Sequence, residues 1–512
     1  MVRAPRLLTE HPLRRTVSIA LWIVASLLLT LALPAVGETA ADGDSVAHWP
    51  SFRGPQARGI GDRALATQWN VEDGTNVLWS TPLPGLGHSS PVIWGDRLFI
   101  TTAVAQDADP ELKVGLYGDG WSADDKGPQS WRLLALDRNT GEILWDREAL
   151  RGAPEIQRHP KASHANSTPA TDGERVVAFF GSEGLFAFSW DGEPLWQKDF
   201  GVLHSGSYMM PVAQWGFGSS PVLHDGKVIV QVDVLRNSFL AVLDADNGEE
   251  IWRVDRDEFP GWGTPTIHQH GDHTQVLVNG FKHMGSYDLA SGEALWKLSG
   301  GGDIPVPTPV VAHGLVFLTN AHGARSPVFA IDLDARGDLT EQAAADRGEA
   351  EEAEGDAASA AEPGVVWKID RGGSYMQTPL AYGDELYVCR DNGVLSCFDA
   401  KSGERHYQER LASGEGFTAS PVAAGGHVYF TSEVGDVHVL AAGTELDKVA
   451  VNSLGEIAMA TPAIAGDTIY FRTRHRLLAI REGARLPPAA EAEGQTPDEG
   501  VETPGEASTD AR

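Results

Sequence analysis

The chain has 512 residues, and 71 acidic against 40 basic side chains give it a formal net charge of −31. This acid excess excludes nucleic acid as the main partner, because phosphate recognition needs a basic surface, and it disfavours anionic membrane surfaces. Only Cys389 and Cys397 are present, which excludes a disulfide framework or a Cys-rich metal site, while 57 Gly, 30 Pro and 15 Trp favour an all-β chain of short strands.

The N-terminus has the pattern of an export signal. Four arginines precede an apolar run over residues 17–33, and small residues follow it. The pattern predicts a signal peptide over residues 1–37 and a periplasmic or extracellular mature protein. If the signal is not cleaved, residues 17–33 would anchor the protein in a membrane instead.

Eight Ser/Thr-Pro pairs divide the rest of the chain into units, and each pair precedes a short apolar strand. The shorter intervals between successive prolines are 41 to 44 residues, so the basic unit is a little over 40 residues. The pairs are Ser90-Pro91, Thr168-Pro169, Ser220-Pro221, Thr264-Pro265, Thr308-Pro309, Thr378-Pro379, Ser420-Pro421 and Thr461-Pro462.

Each unit contains four predicted strands separated by turns rich in Asp and Gly, and the fourth strand usually carries an aromatic residue. Four antiparallel strands in about 40–45 residues are typical of a propeller blade. The sequence therefore predicts an eight-bladed β-propeller of four-stranded antiparallel blades over residues 76–482. The fourth-strand aromatics are Trp145, Trp196, Trp252, Trp296, Trp367 and Tyr407.

The last unit lacks a fourth strand, and a matching segment lies at the other end of the chain. Residues 77–81, which include Trp79, are expected to complete the eighth blade beside residues 469–480 and so close the ring. The same prediction makes residues 38–75 a lead-in, places insertions at 102–130 and 335–364, and leaves an acidic, disordered tail at 483–512.

Two sequence phrases resemble the PQQ-like β-propeller repeat proteins over about residues 49–480. One is the repeated Asp…Gly-Glu…Trp phrase, as in Asp137…Gly141-Glu142…Trp145, and the other is the opening Trp-Pro-Ser-Phe-Arg-Gly-Pro of residues 49–55. The resemblance implies one of two functions. Some members are quinoprotein dehydrogenases, with pyrroloquinoline quinone (PQQ) and Ca²⁺ over the central channel, and others resemble the cofactor-free outer-membrane assembly lipoprotein.

The motifs that accompany each of these two functions in the family do not match this sequence. The dehydrogenases typically carry two adjacent cysteines at the cofactor, whereas Cys389 and Cys397 are eight positions apart. A set of Ca²⁺ ligands could not be mapped onto the sequence, and the lipidated cysteine of the lipoprotein is absent.

The loops that enter each Ser/Thr-Pro strand, together with the loops between second and third strands, are expected on one face. Their aromatic and polar side chains predict a ligand funnel on the axis. The alternative is that the same side chains pack between blades and fill a narrow channel. The candidate ligand-binding residues are His88, Asn166, Trp215, Trp262, Tyr375, Gln377, Arg390 and Phe417.

Further charged residues lie in the second set of loops. Arg390, Arg472 and Arg474 belong to a predicted rim that is half basic and half acidic, which would orient an anionic ligand or a protein segment unless the charges are merely solvated. The insertion at 102–130 overhangs this face, as a lid or as a decorative loop.

Two other groups of residues are candidates for a site. His268, His270 and His273 are interpreted as a solvated loop rather than a metal site. Cys389 and Cys397 would face each other across a three-residue loop centred on Gly393, whereas a two-residue Asn392-Gly393 turn would prevent a bridge. Free thiols are the preferred interpretation.

These patterns together predict an exported, monomeric, non-catalytic binding or scaffold protein of the cell envelope. Its partner is expected to be an envelope protein or a carbohydrate, and no cofactor or metal is expected. The alternative is a quinoprotein-like oxidoreductase that uses PQQ with calcium.

Overall fold

A computed structural model describes residues 48–107, 109–115, 120–322, 325–340 and 364–487. Eight antiparallel sheets follow one another around a central axis, as the sequence predicted. The described residues include two short 3₁₀ turns, Pro55–Ala57 and Gly181–Glu183, and no helix among them is long and apolar enough to cross a membrane. The predicted signal peptide and most of the acidic tail lie outside the described residues.

Each blade runs from an inner strand at the axis to an outer strand. The strands of the first four blades, in that order, are β2 (Val92–Trp94), β3 (Arg97–Ala105), β4 (Gln129–Asp137) and β5 (Ile143–Gly152); β6 (Ala170–Thr171), β7 (Arg175–Phe179), β8 (Leu185–Ser189) and β9 (Pro194–Lys198); β10 (Val222–His224), β11 (Lys227–Val232), β12 (Phe239–Asp244) and β13 (Glu250–Asp255); and β14 (Thr266–His270), β15 (His273–Val278), β16 (Met284–Asp288) and β17 (Ala294–Leu298).

The second half of the ring repeats this order. Its strands are β18 (Val310–Ala312), β19 (Leu315–Thr319), β20 (Val328–Asp332) and β22 (Val365–Ile369); β23 (Leu380–Tyr382), β24 (Glu385–Cys389), β25 (Val394–Asp399) and β26 (Arg405–Arg410); β27 (Val422–Ala424), β28 (His427–Thr431), β29 (Asp436–Ala441) and β30 (Asp447–Ser453); and β31 (Ala463–Ala465), β32 (Thr468–Arg472), β33 (Arg476–Arg485) and β1 (Thr75–Pro82).

The eighth blade is completed by the N-terminal strand β1. It pairs antiparallel with β33, and Trp79 lies opposite Ala479. This confirms the predicted closure of the ring and leaves no unpaired strand at the joint between the first and last blades.

The repeated Asp…Gly-Glu…Trp phrase describes a contact between neighbouring blades. Asp137 accepts hydrogen bonds from the backbone of the turn that follows it, and Gly141 in that turn has a φ of 75°. A Cβ atom at Gly141 would lie 2.6 Å from the indole of Trp79, which donates to the carbonyl of Arg138 in the same turn. Equivalent indole bonds join Trp145 to Trp190, Trp196 to Ala245, Trp252 to Leu289 and Trp367 to Ala400.

The start of the predicted disordered insertion at 335–364 is instead part of the fold. Gly337–Asp338 forms β21, a parallel fifth strand beside β17 of blade four, and Leu339 is fully buried. The first residues of the insertion therefore belong to the fold, because the Leu339 side chain packs into the core between blades four and five. Residues 341–363 lie outside the described residues.

The lead-in segment crosses the central channel on the axis side of the inner strands. Trp49 exchanges backbone hydrogen bonds with Ile93 of blade one, and Gly61 donates to Ala423 of blade seven. Between these two points, Arg53 enters the channel with no exposed surface. The channel is therefore closed at the end opposite the entering loops.

Candidate functional site

A cavity of about 610 Å³ lies on the axis, where the loops that enter the inner strands converge. Phe52 of the lead-in segment reaches its lining, and Met209, which is 72% exposed, marks its opening to solvent. The volume is in the range of small-molecule sites in proteins.

The Ser or Thr residues of all eight Ser/Thr-Pro pairs line this cavity. In seven of these residues, all except Thr461, the backbone N–H donates to the side-chain oxygen of the equivalent residue in the next blade, at 2.9–3.3 Å. We call this set the hydroxyl ring. Its members are Ser90, Thr168, Ser220, Thr264, Thr308, Thr378, Ser420 and Thr461.

The hydroxyl ring is interrupted between blades eight and one. Seven of the bonds are present, but Ser90 Oγ is buried and has no hydrogen-bond partner among the described residues. Instead, Arg472 of blade eight closes this joint, donating through Nη1 to the carbonyls of Ser89 and Thr101. The sequence identified the Ser/Thr-Pro pairs but not this role, because each partner lies one whole blade away.

One wall of the cavity is aromatic. The rings of Trp215 and Trp262 are stacked at 5.8 Å, and the rings of His322 and Tyr375 lie 5.1 Å apart. The indole N–H groups of both tryptophans donate to backbone carbonyls at 3.0 and 2.7 Å. Hydrogen bonding to the backbone therefore fixes the orientation of both indoles.

Thioethers complete the apolar lining. Met209, Met210, Met376 and Met459 all line the cavity, and the chain contains only six methionines in total. A flexible, polarisable thioether adapts to irregular apolar ligands. The sequence analysis missed these residues, although their scarcity elsewhere in the chain was a usable signal.

The opposite wall carries His88 and Lys161. Lys161 Nζ lies 2.5 Å from Glu433 Oε1, and although burial acts to raise the pKa of Glu433, this ammonium lowers it overall. His88 Nε2 lies 2.9 Å from the Lys161 carbonyl. Burial and then Arg472 lower the pKa of His88 to about 3, so its imidazole is neutral at physiological pH.

The structure brings five of the eight predicted site residues to the cavity lining, namely His88, Asn166, Trp215, Trp262 and Tyr375. Asn166 is partly committed to the fold, since its Oδ1 accepts from Ser163 and its Nδ2 donates to Phe217.

The other three predicted site residues lie outside the lining. Gln377 is buried and donates to the Ala419 carbonyl, and Phe417 is fully buried 5.7 Å from the ring of His438. Arg390 is half-buried in the loop after β24 and does not reach the cavity. The side chains of Gln377 and Phe417 lie in the joints between blades rather than at the axis.

Two arginines of the predicted basic rim are committed to contacts within the protein. Arg472 is only 3% exposed and serves the joint described above, and Arg474 is paired with Asp109 of the 102–130 insertion. The same insertion is tied to blade two by Arg158 and Asp125 and to blade seven by the bond from Gly115 to Glu433. The described part of the insertion therefore packs on several blades around the mouth.

The remaining two groups of candidate residues carry no metal or bridge in the described structure. No group of three His, Cys, Asp or Glu side chains among the described residues could hold a metal ion, and His270 pairs with Asp334 at 2.9 Å.

Cys389 and Cys397 are free and buried. Both predicted turns were wrong: Cys389 lies opposite Leu395, because the loop has three residues centred on Asn392.

A ring of eight four-stranded blades around a central cavity, built from this repeated phrase, defines a PQQ-like β-propeller. The family model described as outer membrane protein assembly factor BamB matches residues 50–201, 129–263, 218–337 and 354–485. The chain belongs to this family. No curated protein matches the sequence significantly.

Solved structures show the same fold at low sequence identity. A europium-containing methanol dehydrogenase has a TM-score of 0.56 at 12% identity and covers 88% of this chain and 92% of its own. The quinohemoprotein alcohol dehydrogenase of Comamonas testosteroni has a TM-score of 0.53 at 12% identity, with 87% and 82% covered. BamB from Moraxella catarrhalis has a TM-score of 0.46 at 14% identity, with 74% and 98% covered. At these identities the likeness concerns the fold alone.

The described lining does not fit PQQ with calcium. Ca²⁺ takes six to eight oxygen ligands, usually with carboxylates among them, but no Asp or Glu is among the described lining residues. PQQ itself carries several carboxylates, whereas Lys161 is the only Lys or Arg in that lining and is paired with Glu433. The lining therefore offers no carboxylate for the cation and only one Lys or Arg, already paired, for the several carboxylates of PQQ.

Proposed function

We propose that this protein is an exported, non-catalytic binding propeller of the cell envelope that holds a small organic ligand in its central cavity. The observation that carries the proposal is the cavity of about 610 Å³, lined by stacked indoles and four thioethers. A concave, mostly apolar site with a few polar groups is the usual form of a small-molecule pocket.

Export and an envelope location rest on the signal-peptide pattern of residues 1–37 and on membership of the BamB family. A protein partner would then meet the face that carries the cavity mouth, where the 102–130 insertion packs. A carbohydrate is less well supported as the cavity ligand. Sugar hydroxyls need several side-chain hydrogen-bonding groups, and here both polar atoms of Asn166 already bond to the protein.

Binding in the cavity can be tested with the neutral fluorescent probe N-phenyl-1-naphthylamine. The Ala162→Phe variant places a ring in the cavity, because Ala162 is a lining residue. The Ala294→Phe variant is the matched control, since Ala294 is exposed on the outer strand β17. We expect saturable binding at one site per chain in the wild type and the control, and loss of most binding in Ala162→Phe.

The same binding by both variants would contradict the proposal. A separate titration with PQQ and Ca²⁺, followed by absorbance and by reduction of an electron-accepting dye, tests the alternative function. We expect no stoichiometric absorbance change. Tight binding of PQQ with turnover of an alcohol would replace the binding proposal with the oxidoreductase.

A further inference from the structure

Two buried arginines stand behind the cavity wall without a carboxylate partner among the described residues. Arg53 donates to the carbonyls of Pro379 and Pro421, which directly follow two members of the hydroxyl ring. Arg472 donates to Ser89 Oγ and to two carbonyls at the joint between blades eight and one. Burial lowers the pKa of both groups to about 9, so both remain cationic at neutral pH.

These cations are not balanced from the cavity side. No Asp or Glu is among the described lining residues, and of the acids directly behind them Glu433 is bound to Lys161 and Asp303 to His322. Of the two arginines, Arg472 acts on His88, whose pKa is lowered first by burial and then by Arg472. The cavity wall at the joint between blades eight and one therefore lies at positive potential, because buried charges are poorly screened.

The interruption in the hydroxyl ring lies at the same place. Ser90 is 1% exposed, it lines the cavity, and its Oγ has no partner among the described residues. A buried hydroxyl is normally hydrogen-bonded, so an unpaired one at a cavity of this size indicates that a bound ligand supplies its partner. Next to Arg472, which donates to Oγ of the neighbouring Ser89, the preferred partner is an anionic oxygen, because hydrogen bonds to ionised groups are about twice as strong as neutral ones.

We propose that the cavity binds an organic monoanion, with its carboxylate or sulfonate against Ser90 at the joint between blades eight and one and its flat apolar body toward Trp215 and Trp262. This inference rests on the proposed binding function and specifies its ligand class. One hydroxyl near the buried guanidinium group of Arg472 suits a single anionic group. The same positive potential opposes a divalent cation, which agrees with the poor fit of calcium.

Two probes with nearly the same aromatic body test the charge preference. They are 1-anilinonaphthalene-8-sulfonate, which carries one sulfonate, and N-phenyl-1-naphthylamine, which carries none. We expect the sulfonate to bind about tenfold more tightly, the ratio that one charge-assisted hydrogen bond provides. Each probe should displace the other, and Ala162→Phe should block both.

Two serine variants test the place of the anion. Ser90→Ala removes a hydroxyl that accepts no hydrogen bond, so we expect an unchanged melting temperature and a preference for the sulfonate reduced to about twofold. Ser220→Ala is the matched control. Its Oγ accepts the backbone N–H of Thr168 at 2.9 Å, so this variant should melt at a lower temperature but keep the preference.

The outcomes separate the two proposals. Equal affinity for both probes, with both blocked by Ala162→Phe, would overturn the anion inference and leave the binding function standing. If neither probe binds, or if Ala162→Phe has no effect, the binding function itself fails. A tenfold preference that survives in Ser90→Ala would remove Ser90 from the site and overturn the assignment to this joint.

Discussion

The indole Nε1 of Trp79 donates to the carbonyl of Arg138 at 2.9 Å, although the two residues belong to blades eight and one. The same contact joins successive blades elsewhere, from a fourth-strand indole to the turn after the third strand of the next blade. Closure of the ring therefore uses the interaction that stacks the other blades, and no special joint is required on the outer side.

Truncation of this indole should open the ring. Trp79 is buried and packs on Gly141, so Trp79→Ala creates a cavity and removes the bond to Arg138. We expect a loss of about 3–5 kcal/mol in the free energy of unfolding, measured by denaturant titration, and new protease cleavage in blade eight. Leu144→Ala is the control, because Leu144 is 43% exposed on β5. Unchanged protease protection in Trp79→Ala would contradict this closure mechanism.

Arg53 should be essential to the closed end of the channel. Its guanidinium donates to carbonyls of blades six and seven and to Ala57 of its own segment. Arg53→Met leaves these buried carbonyls without donors, and we expect a loss of at least about 3 kcal/mol in thermal or denaturant unfolding. Arg53→Lys should restore little, because one ammonium cannot reproduce the fork of donors. Arg58→Ala is the neutral control, because Arg58 is exposed. An Arg53→Lys variant as stable as the wild type would show that the several donors of the guanidinium are not needed.

Glu183 should make stability depend on pH. Burial raises the pKa of Glu183 to about 7, although the backbone N–H of Glu155 donates to its carboxylate and acts against this shift. Between the unfolded pKa of about 4.3 and this value, the folded state holds the proton and the unfolded state does not, so stability falls as pH rises through this range. We expect Glu183→Gln to remove this part of the slope, measured as melting temperatures at pH 5 and pH 8. Glu193→Gln, at an exposed position, should keep the wild-type slope, and an unchanged slope in Glu183→Gln would contradict the assignment.

The two cysteines should be unreactive thiols. Burial raises the pKa of Cys397 to about 12, and it raises the pKa of Cys389 further. We therefore expect a thiol reagent to find no reactive thiol in the native protein and two per chain after denaturation without a reductant. Detection of no thiol in the denatured protein would reveal a disulfide and contradict the register of the β24–β25 hairpin.

The blades were predictable from the sequence because their signals are local and periodic. The Ser/Thr-Pro pair and the Asp…Gly-Glu…Trp phrase each lie within one unit, and each has a steric reason, such as the space that Gly141 leaves for Trp79. The hydroxyl ring was not predictable, because its hydrogen bonds join atoms 41 to 78 residues apart. The sequence predicted only part of the cavity lining. His88 and Trp262 reach the axis, whereas Phe417, from an equivalent loop, turns into a joint between blades.

The lead-in and β1 precede the blades in the chain, but several of their pairing partners lie in blades seven and eight. Residues 49–82 pair with strands of blades one, seven and eight, and the partner of Thr75 is Arg485, about 400 positions later in the chain. Contacts of such sequence separation form slowly, because the entropy of a very long loop is lost before they become favourable. The parts of this segment that pair with blades seven and eight must therefore stay unpaired until nearly the whole chain has been made, although Trp49 can pair with Ile93 of blade one earlier. Folding of this ring is expected to be post-translational, with closure as its final and slowest step.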